Sequence, residues 1–216
     1  MADRIALVSL GCAKNLVDSE VMLGLLGEAG YEIVDEVDEA DAIIVNTCAF
    51  IQPAVEEAID ALLDLAQLKS DGLRALVCAG CLPERYGGSL AEELGEVDAF
   101  VGPAEIDTIA DVLAEVLGSG HIPPRAHSPF LMTAETPRQR TGADWLACVK
   151  IAEGCDNRCG YCLIPSIRGP MRSREPDDVR AEVRGLIEEG VREICLIAQD
   201  TSAYGRDLTP RSDLAG

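Results

Sequence analysis

Within the first 120 residues, four short apolar runs each lead into a stretch of helical spacing, and no other feature of the sequence restricts the fold as tightly. The runs are RIALVSL (4–10), AIIVNT (42–47), LRALVCAG (73–80) and AFVG (99–102). Each is short, apolar and strand-like. The first helical pattern runs from Val17 to Glu28, with Val21, Leu25 and Leu26 on one face and Gly30 as a stop signal. The second runs from Val55 to Lys69 after Pro53, through Ile59, Leu62, Leu63 and Ala66. Pro83 to Leu94 and Ile106 to Leu117 complete the series. Apolar strands alternating with amphipathic helices predict a parallel sheet covered on both faces. The fold class is therefore α/β, with a doubly wound parallel-sheet domain over residues 1–120.

Residues 118–144 change character, with four prolines, both histidines and several turn formers. They predict a linker over 121–144. His121 and His127 have no cysteine or second histidine at ligand spacing and are expected at the surface. A second unit opens at 145, with WLACVKIAEG (145–154) as a strand, Pro176 to Glu189 as a helix and REICLIAQD (192–200) as a strand. That is one βαβ unit. Two strands neither close a barrel nor complete a wide sheet, so this domain, 145–216, is expected to be cut short.

Nine cysteines in 216 residues, an odd number scattered along the chain, do not resemble a secreted disulfide framework and favour metal or redox chemistry. No apolar run is long enough to cross a bilayer, and the start, MADRIALVSLGC, lacks a basic region and cleavage site. The expectation is a soluble cytoplasmic protein. The net charge of −20 is uneven, since residues 1–120 hold 5 Lys and Arg against 24 Asp and Glu. So acidic a segment repels a phosphate backbone, which argues against RNA binding by the first half. Its acidic helices are expected to be solvated faces.

EGCDNRCGYC (153–162) sets Cys155, Cys159 and Cys162 at C-x3-C-x2-C spacing, directly after a strand. A structural zinc site takes four ligands, and the loop offers no fourth Cys or His. Three thiolates on a four-iron cluster leave one iron open to a small molecule. Zinc with a distant fourth ligand, or a redox pair, are the alternatives. In the first domain Cys12, Cys48 and Cys81 each follow a strand, 36 and 33 residues apart. Loops after parallel strands gather along one edge, so these three are expected to converge, either as a second three-thiolate site or as separate buried cysteines. Cys148 and Cys195 lie within strands and are expected to be packing residues, whereas Cys78, three before Cys81, is either a packing residue or half of a C-x2-C zinc or redox pair.

The segments LGCAKNLVDSE, VNTCAF, AGCL, AEGCDNRCGYCLIPSIRGPMRSR and LIAQDTSAYG together resemble the radical S-adenosylmethionine (SAM) methylthiotransferases, over about residues 4 to 207. Tyr161 supplies the aromatic that precedes the last cysteine of the radical SAM loop. The resemblance implies two [4Fe–4S] clusters, an auxiliary one on Cys12, Cys48 and Cys81 and a SAM-binding one on Cys155, Cys159 and Cys162. It implies that residues 145–216 begin a radical SAM (β/α) barrel, and that an electron donor such as flavodoxin is a partner. GCAKNLVDSE is similar to the branch acting on an aspartate of a small-subunit ribosomal protein. The branch acting on a tRNA adenosine, which usually has Gln-Met-Asn after that first cysteine, is the alternative. In the ribosomal branch a methylthio group replaces hydrogen on the β-carbon, with one SAM as radical source and another as methyl donor. The resemblance also implies that a further stretch of barrel and a small C-terminal β-barrel domain are needed for turnover.

Arg168, Arg172 and Arg174 follow the loop, and guanidinium groups there can orient a carboxylate of SAM or substrate. An exposed basic face is the other reading. Gln199 and Asp200 end the last strand, at the edge where such barrels bind ligands. Asn15 orders the Cys12 loop in this reading, and Asp18 does so too or caps the helix. No general acid or base is nominated.

Overall fold

The computed structural model describes residues 2–119 and 129–214, and His121 and His127 lie outside them. The chain falls into two compact units, Met1–Phe130 and Leu131–Gly216.

The first unit runs β1 (Arg4–Ser9), α1 (Ala13–Glu28), β2 (Glu32–Ile33), β3 (Ala42–Thr47), α2 (Gln52–Ala66), β4 (Ala75–Gly80), α3 (Cys81–Tyr86), α4 (Gly88–Glu93), β5 (Ala99–Val101) and α5 (Ile109–Ser119). Its five strands are all parallel, in the order β2-β1-β3-β4-β5. All six residues of β3 and all six of β4 are buried, which explains their uninterrupted apolar sequences. Strand order reverses between β1 and β3, and a crevice forms beyond the carboxyl ends at such a switch point.

Helix α2 buries Val55, Ala58 and Leu62, while Glu56, Glu57, Asp60 and Asp64 face solvent. Its buried stripe is thus one step round from the expected face, and Leu63 is exposed. The predicted helix from Pro83 to Leu94 is two short helices, broken at Gly87, whose φ of 54° no ordinary helix accepts. The two-residue strand β2 was not predicted, because a strand that short carries no periodicity.

The second unit runs β6 (Leu146–Lys150), β7 (Ala152–Glu153), α6 (Ile164–Ile167), β8 (Arg172–Ser173), α7 (Pro176–Glu188) and β9 (Glu193–Ile197). Strands β6 and β9 pair in parallel, and β7 pairs antiparallel with β8. The predicted strand 145–154 is therefore split at Ile151 between two sheets. Its core joins Ala147, Val149, Ile151, Ala152, Met171, Leu186, Val191, Ala203 and Tyr204. Pro176 opens α7, with Asp177 and Asp178 in its first turn, where acidic side chains suit the helix dipole.

Within the predicted linker, residues 131–144 belong to the second unit. Met132 is buried, the Ala134 N–H donates to Asp178 at 2.7 Å, and Arg138 pairs with Glu182 at 2.8 Å, both acids lying on α7. No helix among the described residues is long and apolar enough to cross a membrane.

Candidate functional site

At the carboxyl edge of the first sheet, β1 ends two residues before Gly11 and three before Cys12, β3 ends at the residue before Cys48, and Gly80 of β4 is followed by Cys81. Glycine is required before two of these cysteines. Gly80 has φ 93°, and a Cβ there would stand 2.3 Å from Asn46 Oδ1 and 2.6 Å from the Thr47 carbonyl. Gly11 has φ 105°, and a Cβ would stand 2.7 Å from Cys48 Cβ and 3.5 Å from its Sγ. The loop that carries Cys12 thus lies directly against the Cys48 side chain.

Asn15, buried in the first turn of α1, joins the three. Its Nδ2 donates to the Leu10 carbonyl at 3.1 Å and to the Thr47 carbonyl at 2.8 Å. Its Oδ1 accepts from Cys12 Sγ at 3.8 Å and from Cys81 Sγ at 3.9 Å, so both sulfurs stand beside one oxygen atom. Asn46 Nδ2 donates to the Asn15 carbonyl at 2.8 Å and to Ser19 Oγ at 2.9 Å. Thr47 Oγ1 donates to the Ala79 carbonyl at 2.7 Å and accepts from the Leu82 N–H at 3.2 Å, which fixes the start of α3. Asp18 is buried within α1 and Cys12 holds the cap position, so Asp18 is not the cap.

In the second unit the cysteine loop is closed at its base. The Cys155 N–H donates to the Gly169 carbonyl at 3.1 Å, and the Met171 N–H to Asp156 Oδ1 at 3.0 Å. The Cys162 N–H donates to the Cys159 carbonyl at 3.0 Å, which brings the last two cysteines onto one turn. Cys155 lines a pocket with Asn157, Met171, Asp200 and Asp207. Tyr161 is 84% exposed.

Behind the loop lies an ion cluster. Glu153, Lys150 and Arg168 are all buried. Lys150 Nζ donates to Glu153 Oε2 at 2.8 Å, and Arg168 Nη1 lies 3.0 and 3.1 Å from its two oxygens. Burial works to raise the Glu153 carboxyl, but the charges and hydrogen bonds of Lys150 and Arg168 prevail and hold it well below the usual carboxylate range.

None of the nine cysteines is joined in a disulfide. Among the described residues, no three His, Cys, Asp or Glu side chains close to the span of a single metal ion. A multi-iron cluster sets its thiolates on different irons and so farther apart than ligands of one ion. Three soft sulfur donors on one sheet edge are a donor set that fits iron–sulfur ligation.

The family model described as Uncharacterized protein family UPF0004 matches residues 4–102, and that of the Radical SAM superfamily matches residues 149–211. Relatives named ribosomal protein uS12 methylthiotransferase RimO include one from Desulfotalea psychrophila, 54% identical over 94% of this chain and 46% of its own length. Another, from Trichlorobacter lovleyi, is 49% identical over 99% of this chain and 48% of its own length. The chain belongs to the radical SAM methylthiotransferase family. Membership carries the use of SAM and of iron–sulfur chemistry. The chain spans about half the length of the curated relatives it matches. A solved cobalamin-dependent SAM radical enzyme, OxsB, matches with a TM-score of 0.56 at 11% identity, over 93% of this chain and 34% of that one, which bears on the fold alone.

The residues nominated around the methylthiotransferase loop are placed unequally. Arg168 and Arg174 are buried ion-pair residues rather than an exposed basic face. Arg168 meets Glu153, whereas Arg174 turns onto α7, to Asp178 at 2.7 Å and to Glu182. Arg172 is half-buried in β8, in register with Glu153. Gln199 Nε2 donates to Glu153 Oε1 at 3.0 Å. Asp200 accepts from Ser202 and from Asn157, bonds that lower its pKa. Lys150 and Glu153 escaped the sequence reading because single charged residues at the end of an apolar strand carry no motif. Their one signal is that each interrupts an otherwise apolar run, since alternation puts the two on opposite faces and would bury only one of them.

Proposed function

We propose that this chain carries the two cluster-binding units of a methylthiotransferase that modifies ribosomal protein uS12 at the β-carbon of an aspartate. The observation that carries this reading is the gathering of Cys12, Cys48 and Cys81 at one strand edge, separate from the C-x3-C-x2-C loop. In this reading Cys12, Cys48 and Cys81 hold an auxiliary [4Fe–4S] cluster. Cys155, Cys159 and Cys162 hold a second, and the open coordination position belongs to SAM. When bound, the second cluster and SAM supply one-electron chemistry able to remove hydrogen from an unactivated carbon.

The chain's own residues hold and shield. Asn15 and Thr47 set the spacing of the auxiliary thiols, and the Cys155–Gly169 hydrogen bond closes the base of the loop. Gln199, Asp200 and the Arg168 and Arg172 segment line the SAM or substrate pocket. A low-potential electron donor such as flavodoxin is the partner, and the cytoplasm the compartment.

The test is iron and sulfide content after anaerobic reconstitution. About eight irons in the wild type, falling to about four in Cys155→Ala/Cys159→Ala/Cys162→Ala, is the expected result. Zinc in place of iron, or no iron retained by the variant, removes the auxiliary cluster. Substrate class is tested with a chain extended to the length of its relatives, where methylthiolation of RNA instead of uS12 overturns the assignment.

A further inference from the structure

Glu153 stands two residues before the first cysteine of the loop, and no motif singles it out. Its carboxylate accepts from Lys150 Nζ at 2.8 Å, Arg168 Nη1 at 3.0 Å, Gln199 Nε2 at 3.0 Å and the Gly154 N–H at 3.2 Å. These donors come from the end of β6, the residue after α6, the segment just past β9 and the start of the loop itself. One carboxylate therefore ties both ends of the cysteine loop to the carboxyl edge of β9.

The consequence falls on Gln199. A carboxamide has an accepting end and a donating end of almost the same shape, whereas an ionised carboxylate only accepts. Beside Glu153, itself in contact with two cations, only Nε2 of Gln199 can face inward. Its Oε1 is thereby turned to the other side, where it is buried and meets no donor among the described residues. A buried acceptor left unmade is costly, and such an atom calls for a donor from a ligand.

We infer that Glu153 is a positioning residue that acts through Gln199, locking its amide so that the carbonyl oxygen is presented to a donor group of bound SAM. The inference rests on the proposed function, in which Gln199 lines the SAM pocket. An amide at position 153 both donates and accepts, so Glu153→Gln frees Gln199 to turn over while leaving the shape of the site intact.

The experiment is a double-mutant cycle on SAM affinity, measured by anaerobic equilibrium dialysis with the iron-loaded full chain. Glu153→Gln and Gln199→Ala are each expected to weaken binding about tenfold, and Glu153→Gln added to Gln199→Ala by no more than about twofold further. Additive losses, or unchanged binding in Glu153→Gln, overturn the inference. Glu153→Gln removes the negative charge that Lys150 and Arg168 share, so Glu153→Gln/Lys150→Met, which restores the net charge of these three side chains, is run through the same cycle. Iron content accompanies every sample. Loss of iron or of folding in both Glu153 variants counts against positioning, which leaves the cluster in place. A wild-type chain that takes up iron but binds no SAM overturns the proposed function and this inference together. SAM binding with additive losses overturns the inference alone.

Discussion

Cys78 and Cys81 are three residues apart, yet the chain leaves the sheet between them and their chemistry diverges. Cys78 is fully buried in β4, and burial pushes its thiol up to about 12, partly offset by a hydrogen bond with Thr47. Iodoacetamide at pH 8 is expected to spare Cys78 in the folded chain and to label exposed Cys12, read by peptide mass spectrometry. Cys78→Ala is expected to leave iron uptake unchanged. Cys148 and Cys195, expected as buried packing residues, are in register across β6 and β9 and only half-buried. Their exposure depends on which strands flank them, which their own sequence cannot state. Glu84 supplies a pH test, because burial and then the nearby Glu105 charge raise its carboxyl above the usual value. The folded state therefore binds this proton more tightly than the unfolded chain, and the group's stability contribution is lost as pH rises through the carboxylate range. Glu84→Gln is expected to raise the Tm modestly at pH 7, with the gain vanishing below about pH 4.

At the scale of elements, the short approach of β4 to the end of β3 leaves Gly80 closed to any side chain. Gly80→Ala forces a Cβ into Asn46 and the Thr47 backbone at a left-handed φ, with an expected loss of about 1–3 kcal/mol or more in urea unfolding. Leu62→Ala, on the buried stripe of α2, is expected to cost about 2–5 kcal/mol by the same measurement. The strands β3 and β4 were legible because burial on both faces makes them continuously apolar. The split of 145–154 between two sheets was not, because Ile151 keeps the run apolar while the chain changes partner. The Gly-Cys dipeptide in SLGC, AGC and EGC was a usable signal, since a glycine with positive φ precedes Cys12, Cys81 and Cys155 alike.

For the whole molecule, charge is partitioned as strongly as structure. Residues 1–120 carry 24 acidic against 5 basic side chains, and the acidic face of α2 is solvated. Under the proposed function, association with basic uS12 is expected to weaken as salt rises from 50 to 500 mM, about tenfold or more by titration calorimetry, while RNA is not retained at any salt. The sequence by itself determined the α/β class, the parallel first sheet, the family and six cysteines in two groups, because periodicity and spacing are local properties. Only the tertiary structure decided that Asn15 touches two of those thiols, that Arg168 faces Glu153 while Arg174 serves α7, and that Gln199 is held in one orientation. Those are contacts between residues up to 66 positions apart, made where the register of parallel strands brings their ends level.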